Sequence, residues 1–206
     1  MNTPLGAAVV HDVKNRLAIL GDELARLTRL PLDAQAQRHV AAASEQSALL
    51  TRKLVEFLTV MKADGGGGLH AAVHEELPDA FLEEVHADAQ ALAGARVELV
   101  TELDSAPAFW FFDRQLVRLA LDSAIYNALR FASARIVLGC RMDGGRLCFY
   151  VSDDGPGVQD VACATSTGLG RRLCDEVARA HKNQGRQGRS ALRNHGSGAV
   201  FELHLP

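Results

Sequence analysis

Apolar residues Val9, Val13, Leu17, Leu20, Leu24 and Leu27 recur at spacings of four, four, three, four and three. That is one stripe of an amphipathic helix. The pattern predicts a helix over residues 5–30, stopped by Pro31. Asp33 is placed to cap a second helix, whose stripe includes Val40, Leu50, Leu54, Leu58 and Met61. A hairpin of two such helices has too few layers to cover its own apolar faces. Two copies are therefore expected to pair as a four-helix bundle, which makes the chain a homodimer. Asp64-Gly65-Gly66-Gly67-Gly68 breaks the pattern and divides a first domain, 1–64, from a second, 69–206.

In the second domain the period changes repeatedly. Residues 77–93 read as a helix, 96–103 alternate as a strand, and 108–112 make another short strand. Asp113 is placed to cap a long helix carrying Leu116, Leu119, Ala120, Ser123, Ala124, Asn127 and Ala128 on neighbouring turns. This arrangement puts Asn127 on an otherwise buried face. Strands over 135–142 and 146–152 flank Asp143-Gly144-Gly145, a hairpin turn. A helix over 168–181 and strands over 190–193 and 199–205 complete the pattern. The predicted class is α+β: a helical hairpin, then a helix layer packed on a mixed sheet.

Composition narrows the partners. The chain has 206 residues, 48% of them apolar, which is enough to bury a core. A formal net charge of −3 argues against a partner held through its phosphate backbone, so nucleic acid is not expected. Cys140, Cys148, Cys163 and Cys174 include no Cys-x-x-Cys pair, and neither a disulfide framework nor a zinc site is expected from their spacing. Without a membrane-length apolar run or a leader-like amino terminus, the expected location is the cytoplasm, with no membrane insertion. With no input domain recognisable, a signal is expected to come from a separate sensor or input protein.

The chemistry concentrates in four places. His11 lies about 200° around a helix from Val9, opposite the apolar stripe. Asp12 adjoins it and Asn15 shares its side one turn on. A neutral imidazole can attack a phosphoryl group through one ring nitrogen while a carboxylate orients the proton on the other. Asn127 is an amide that, if buried, needs a partner or a ligand. Asp153-Asp154-Gly155-Pro156-Gly157 follows a strand and can offer adenine a carboxylate beside glycine backbone. Gly168-Leu169-Gly170 opens a helix whose free N–H groups suit phosphate.

In this order, these motifs resemble the phosphoacceptor box and the N, G1 and G2 boxes of two-component sensor histidine kinases, whose ATP-binding fold is shared with gyrase-type ATPases. The resemblance runs over nearly the whole chain. It implies that His11 accepts the phosphoryl group, that Asp12 assists and that Asn15 positions water for dephosphorylation of the partner. It also implies ATP contacts from Asn127, Arg130, Asp153, Gly155, Gly157, Gly168, Leu169 and Gly170, with Asn127 holding Mg²⁺. The partner implied is the receiver domain of a response regulator.

Three departures stand against that pattern. Ser123 occupies a position commonly Asn or Glu, Ser166 replaces a glycine, and only ten residues, 158–167, separate the two glycine boxes. They keep open a second reading: a histidine phosphotransfer or scaffold protein whose kinase-like domain does not use ATP. A gyrase-like ATPase or serine kinase of the same fold, with His11 incidental, is the third.

Overall fold

A computed structural model describes residues 4–65, 67–158 and 168–206, without the side chains of residues 4–9 and 104. The chain divides into two compact units, Met1–Gly66 and Gly67–Pro206.

The first unit is a helical hairpin of α1 (Pro4–Leu27) and α2 (Ala34–Asp64). Asp33 caps α2, its side chain accepting from the Ala36 N–H at 2.7 Å. The two helices pack on each other and bury Leu24. Val13, Leu20, Leu27, Leu50 and Phe57 remain exposed. Much of the apolar stripe that predicts the helices is therefore not covered within one hairpin.

The second unit is built on a five-stranded sheet of order β2-β4-β5-β9-β8, formed by β2 (Glu98–Ser105), β4 (Arg135–Asp143), β5 (Arg146–Asp153), β8 (Arg189–His195) and β9 (Gly198–Leu205). β2 and β4 are parallel and the other pairs antiparallel, so the sheet is mixed. Helices α3 (Pro78–Ala93), α4 (Arg114–Phe131) and α5 (Leu169–Ala180) form the second layer. Alternation along β5 sends Leu147, Phe149 and Val151 toward that layer and Cys148, Tyr150 and Ser152 away from it. Phe149 meets Phe81 of α3 and Phe112 in an aromatic triangle with ring centroids 5.3–5.5 Å apart. This is the α+β architecture expected from the periodicities.

Two small ribbons fall outside those expectations. β1 (His74–Glu76) pairs antiparallel with β3 (Trp110–Phe112). Its three polar residues give no alternation to detect. β6 (Lys182–Asn183) and β7 (Arg186–Gln187) form a hairpin whose turn needs positive φ at Gln184 and Gly185. Lys182, Arg186, Arg189 and Arg193, a basic run in the sequence, are exposed along this hairpin and on β8.

Asp113 ties three segments of the unit together. One carboxylate oxygen caps α4 by accepting from Leu116 N–H at 3.0 Å, and the other accepts from Ala72 N–H at 2.8 Å. Its own N–H donates to His181 Nε2 at 3.0 Å. His181 is 1% exposed, and its Nδ1–H donates to the Val177 carbonyl at 2.8 Å. Burial holds its pKa below the ordinary histidine value, which keeps the ring neutral. Protonation would turn the Nε2 acceptor into a donor facing the Asp113 N–H. Because the folded-state pKa is depressed, the stability is intact above the unfolded value of about 6.5 and is lost as pH falls below it. Urea unfolding is thus expected to show lower stability at pH 5.5 than at pH 7.5, with a flatter profile in His181→Gln. His181→Ala, which leaves the Asp113 N–H unpaired, is expected to cost about 1–3 kcal/mol.

Candidate functional site

His11 is exposed on α1, on the solvent side of the helix. Asn15, one turn on, brings its side-chain amide nitrogen to 3.2 Å from His11 Nδ1. Asp12 does not engage the histidine in this way. Its carboxylate accepts from Arg16 Nε at 2.8 Å, and that pairing raises the Arg16 pKa. Helix geometry explains the choice, because residues four apart face each other and adjacent ones do not. The Nε2 edge of the ring is the one Asn15 does not touch.

In the second unit α4 is the organising element. Val117, Ala120, Leu121, Ala124, Ile125 and Ala128 are buried along it. Asn127 is exposed, contrary to the expectation of a buried amide. It lies about 60° from Ala124 and about 100° from Ala128 on the helical wheel, so it stands at the rim of the buried arc. The apolar stripe is narrower than the residues chosen to define it. The buried polar residue of this helix is Ser123, at 3% exposure. Arg130 is exposed, and its guanidinium lies 5.0 Å from the centroid of the Phe131 ring.

The turn after β5 is fixed against the end of α4. Asp153 is half-buried, and its Oδ1 accepts from the Gly155 N–H at 2.9 Å, closing a local turn. A Cβ on Gly155 would come within 2.4 Å of the Phe131 carbonyl oxygen. Glycine is required there so that the turn can approach its own chain. The next acid does the larger structural work. Asp154 accepts from Ser133 N–H at 2.8 Å and from Ala134 N–H at 3.1 Å, and its own N–H donates to the Arg135 carbonyl at 3.3 Å. The backbone of Ala134 chiefly, then of Arg135, Ser133 and Asp154 itself, holds the Asp154 carboxyl below its usual range. Sequence reasoning passed over Asp154 because attention falls on the acid that begins the glycine motif. Asn194 is the other omission: its Oδ1 accepts from the Val158 N–H and ties the same turn to β8.

Gly168 takes the left-handed conformation, φ 65°, at the start of α5, with no side chain capping the helix and open space where a Cβ would sit. Leu169 is half-buried and Gly170 is buried. α5 packs along α4, and Cys174 Sγ meets the Ala120 carbonyl at 3.6 Å. The Asn127 helix, the Asp153 turn and the Gly168 helix start therefore belong to one contiguous part of the unit. Ser166, Cys163 and most of the 158–167 segment lie outside the described residues. Cys140, Cys148 and Cys174 are buried and lie outside any disulfide among the described residues. No helix among the described residues is long and apolar enough to cross a membrane.

These contacts set the cost of altering the turn. Gly155→Ala is expected to destabilise by about 1–3 kcal/mol, because the obstacle is backbone. Asp154→Asn is expected to cost about 1–2 kcal/mol after allowance for partial exposure. With a depressed folded pKa, the Asp154 contribution is present at neutral pH and lost as pH falls through the carboxylate range. Denaturant midpoints at neutral and acid pH check both, the Asn variant showing the smaller acid loss.

No protein-family profile matches the sequence, and no curated protein matches it. Solved structures do. ShkA, crystallised in complex with AMPPNP, superimposes with a TM-score of 0.68 at 23% identity, over 97% of this chain and 45% of ShkA. The present chain thus spans less than half of that protein. The Acinetobacter baumannii histidine kinase AdeS gives a TM-score of 0.63 at 22% identity, covering 95% of this chain and 96% of that one. The catalytic domain of histidine kinase ThkA gives 0.56 at 18% identity, over 65% of this chain and 95% of its own. At these identities the likeness is one of fold, and the fold is that of the histidine kinase core.

Proposed function

We propose that this chain is a protein-histidine kinase core that transfers the γ-phosphoryl group of ATP to His11 and on to a receiver-domain aspartate of a response regulator. One observation carries the reading. A chain with this fold presents an exposed helix histidine, and its second unit gathers the Asn127, Asp153 and Gly168 segments around α4. In this reading residues 1–64 form the phosphoacceptor and dimerisation domain, and 69–206 bind nucleotide.

The residues present suit Mg-ATP. Asn127 is exposed and offers a neutral amide oxygen of the kind Mg²⁺ accepts. Asp153 uses Oδ1 locally, and its other oxygen is available to the exocyclic amine of adenine. The space over Gly168 and the free N–H groups of the first turn of α5 suit phosphate oxygens, with Gly170 and Leu169 continuing that turn. Gly155 and Gly157 keep the Asp153 turn close to its own chain, and Arg130 supplies positive charge on the same helix as Asn127. Mg²⁺ when bound neutralises the charge on the phosphate oxygens.

On the acceptor side, the nucleophile is the Nε2 lone pair of a neutral ring, which requires the proton on Nδ1. Asn15 selects between the tautomers: its amide nitrogen donates to a bare Nδ1, and its oxygen, turned inward, accepts from Nδ1–H. Asp12, paired with Arg16 in the free chain, takes the Nδ1 proton as the new bond forms once bound nucleotide draws Arg16 away. Asn15 also orients water for the reverse release of phosphate from the regulator. The exposed Val13, Leu20, Leu27 and Leu50 stripe is where a second copy completes a four-helix bundle. In this reading the site of action is cytoplasmic.

Ser123 favours the second reading. It is buried within the helix packing, and a serine cannot serve as a carboxylate base. On that reading the chain shuttles phosphate through His11 without using ATP.

Incubation with γ-labelled ATP is expected to give an acid-labile, base-stable adduct that His11→Gln abolishes. Labelling from a phosphorylated regulator but not from ATP would instead establish the shuttle. Label on His11→Gln from both donors would overturn both readings. Charged residues at Leu20 and Leu54 are expected to convert a dimer into monomers by light scattering, and a monomeric unmodified chain at micromolar concentration would refute the bundle.

A further inference from the structure

The face of the sheet turned away from the helices carries a second group of chemically active side chains. Cys148 on β5 lies directly opposite His204 on β9, and Glu202 stands two residues before His204 on the same face. Cys148 is 0% exposed, His204 3% and Glu202 6%. One ligand atom from each, a sulfur, an imidazole nitrogen and a carboxylate oxygen, all lie within 4.8 Å of one another.

The histidine is incompletely satisfied. Its Nδ1 is buried without a hydrogen-bond partner and sits 3.4 Å from Asp143 Oδ2. Its Nε2 is 3.9 Å from Cys148 Sγ and 3.9 Å from Glu202 Oε2. Asp143 favours the proton on Nδ1, so the Nε2 lone pair points inward. Glu202 is held from its other side: Oε1 accepts from Arg141 and Arg193 at 2.7 and 2.9 Å, and Oε2 from Arg193 Nε at 3.1 Å. A nitrogen lone pair, a carboxylate oxygen and a sulfur thus converge, and the Cys148 S–H has the Phe149 carbonyl at 3.7 Å as an acceptor. The partnerless Nδ1 faces Asp143, while Nε2 faces the centre with the Cys148 sulfur and the Glu202 oxygen each 3.9 Å away. A carboxylate behind a histidine is also the arrangement that orients a metal-ligating imidazole.

We propose that Cys148, Glu202 and His204 form a binding site for a zinc-like divalent cation, with Asp143 as the outer partner that fixes the His204 tautomer. Thiolate, imidazole and carboxylate are the donor set of Zn²⁺. The arginines set the selectivity. Arg141, Arg189 and Arg193 together outweigh Glu202 and Asp143 by one charge, so the cation must draw its counter-charge from the Cys148 thiolate. Mg²⁺ and Ca²⁺, which rely on oxygen ligands, gain little from that sulfur. Bonds of about 2.0–2.3 Å to a tetrahedral ion require the three atoms to draw in by about 1 Å, which side-chain rotation supplies. Burial pushes the free Cys148 thiol up to about 12, so binding releases its proton to solvent.

The test uses the full chain, stripped of metal by a chelator and titrated with Co²⁺ as a spectroscopic stand-in. One equivalent is expected to produce a thiolate-to-cobalt charge-transfer band that Zn²⁺ abolishes and Mg²⁺ does not. Cys148→Ser is expected to remove the band, and Cys174→Ser to leave it. Should Cys148→Ser fail to fold, crystals of the unmodified chain grown with Zn²⁺ are expected to show anomalous density between Cys148, Glu202 and His204. No band in the unmodified chain, a band that survives Cys148→Ser, or anomalous density only elsewhere would overturn the proposal.

Discussion

The Asp154 carboxylate fixes the corner on which the second unit turns. It receives the N–H groups of Ser133 and Ala134, which leave the end of α4, while its own N–H reaches the Arg135 carbonyl at the start of β4. Three chain segments therefore share one half-exposed carboxylate: the exit of α4, the entry of β4 and the exit of β5. A carboxylate accepting several backbone N–H groups is stabilised in its ionised form, and this accounts for the depressed pKa. With that corner fixed, the Asp153 turn lies against Phe131, and Asn127 is held one helical turn away from it.

The candidate site is divided between residues that satisfy the chain and residues that face outward. Gly155 and Gly157 are small because the turn approaches the Phe131 carbonyl and Asn194. Asn127 and Arg130, by contrast, project from the rim of α4. The chain's own packing forms a seam that carries a few polar groups at its margin.

How much of this was legible in the sequence depends on whether the information is local. The hairpin, α3, α4, α5 and the main strands follow from periodicity, capping by Asp33 and Asp113, and the Asp143-Gly144-Gly145 turn. β1 was not legible, since His74-Glu75-Glu76 becomes a strand only by pairing with Trp110–Phe112, dozens of residues later. The error at Asn127 has a related cause. A helical wheel gives angles, but the width of the buried arc is set by what packs against it, and here α3, β5 and α5 leave the rim open. His11 and Asn15 were legible because their contact is one turn of a helix, whereas Asp12 chose Arg16 by the same rule. The Cys148, Glu202 and His204 cluster could not be read from cysteine spacing at all. It is assembled by the register of β5 against β9.

Asp113 spends its two carboxylate oxygens and its N–H on three segments: the stretch at Ala72, the first turn of α4, and, through His181, the last turn of α5. In mechanical terms it is a shared anchor. Tension in the stretch that enters from Gly67 is divided between the two helices that carry Asn127 and Gly168, and slack in either helix is felt where the chain comes in.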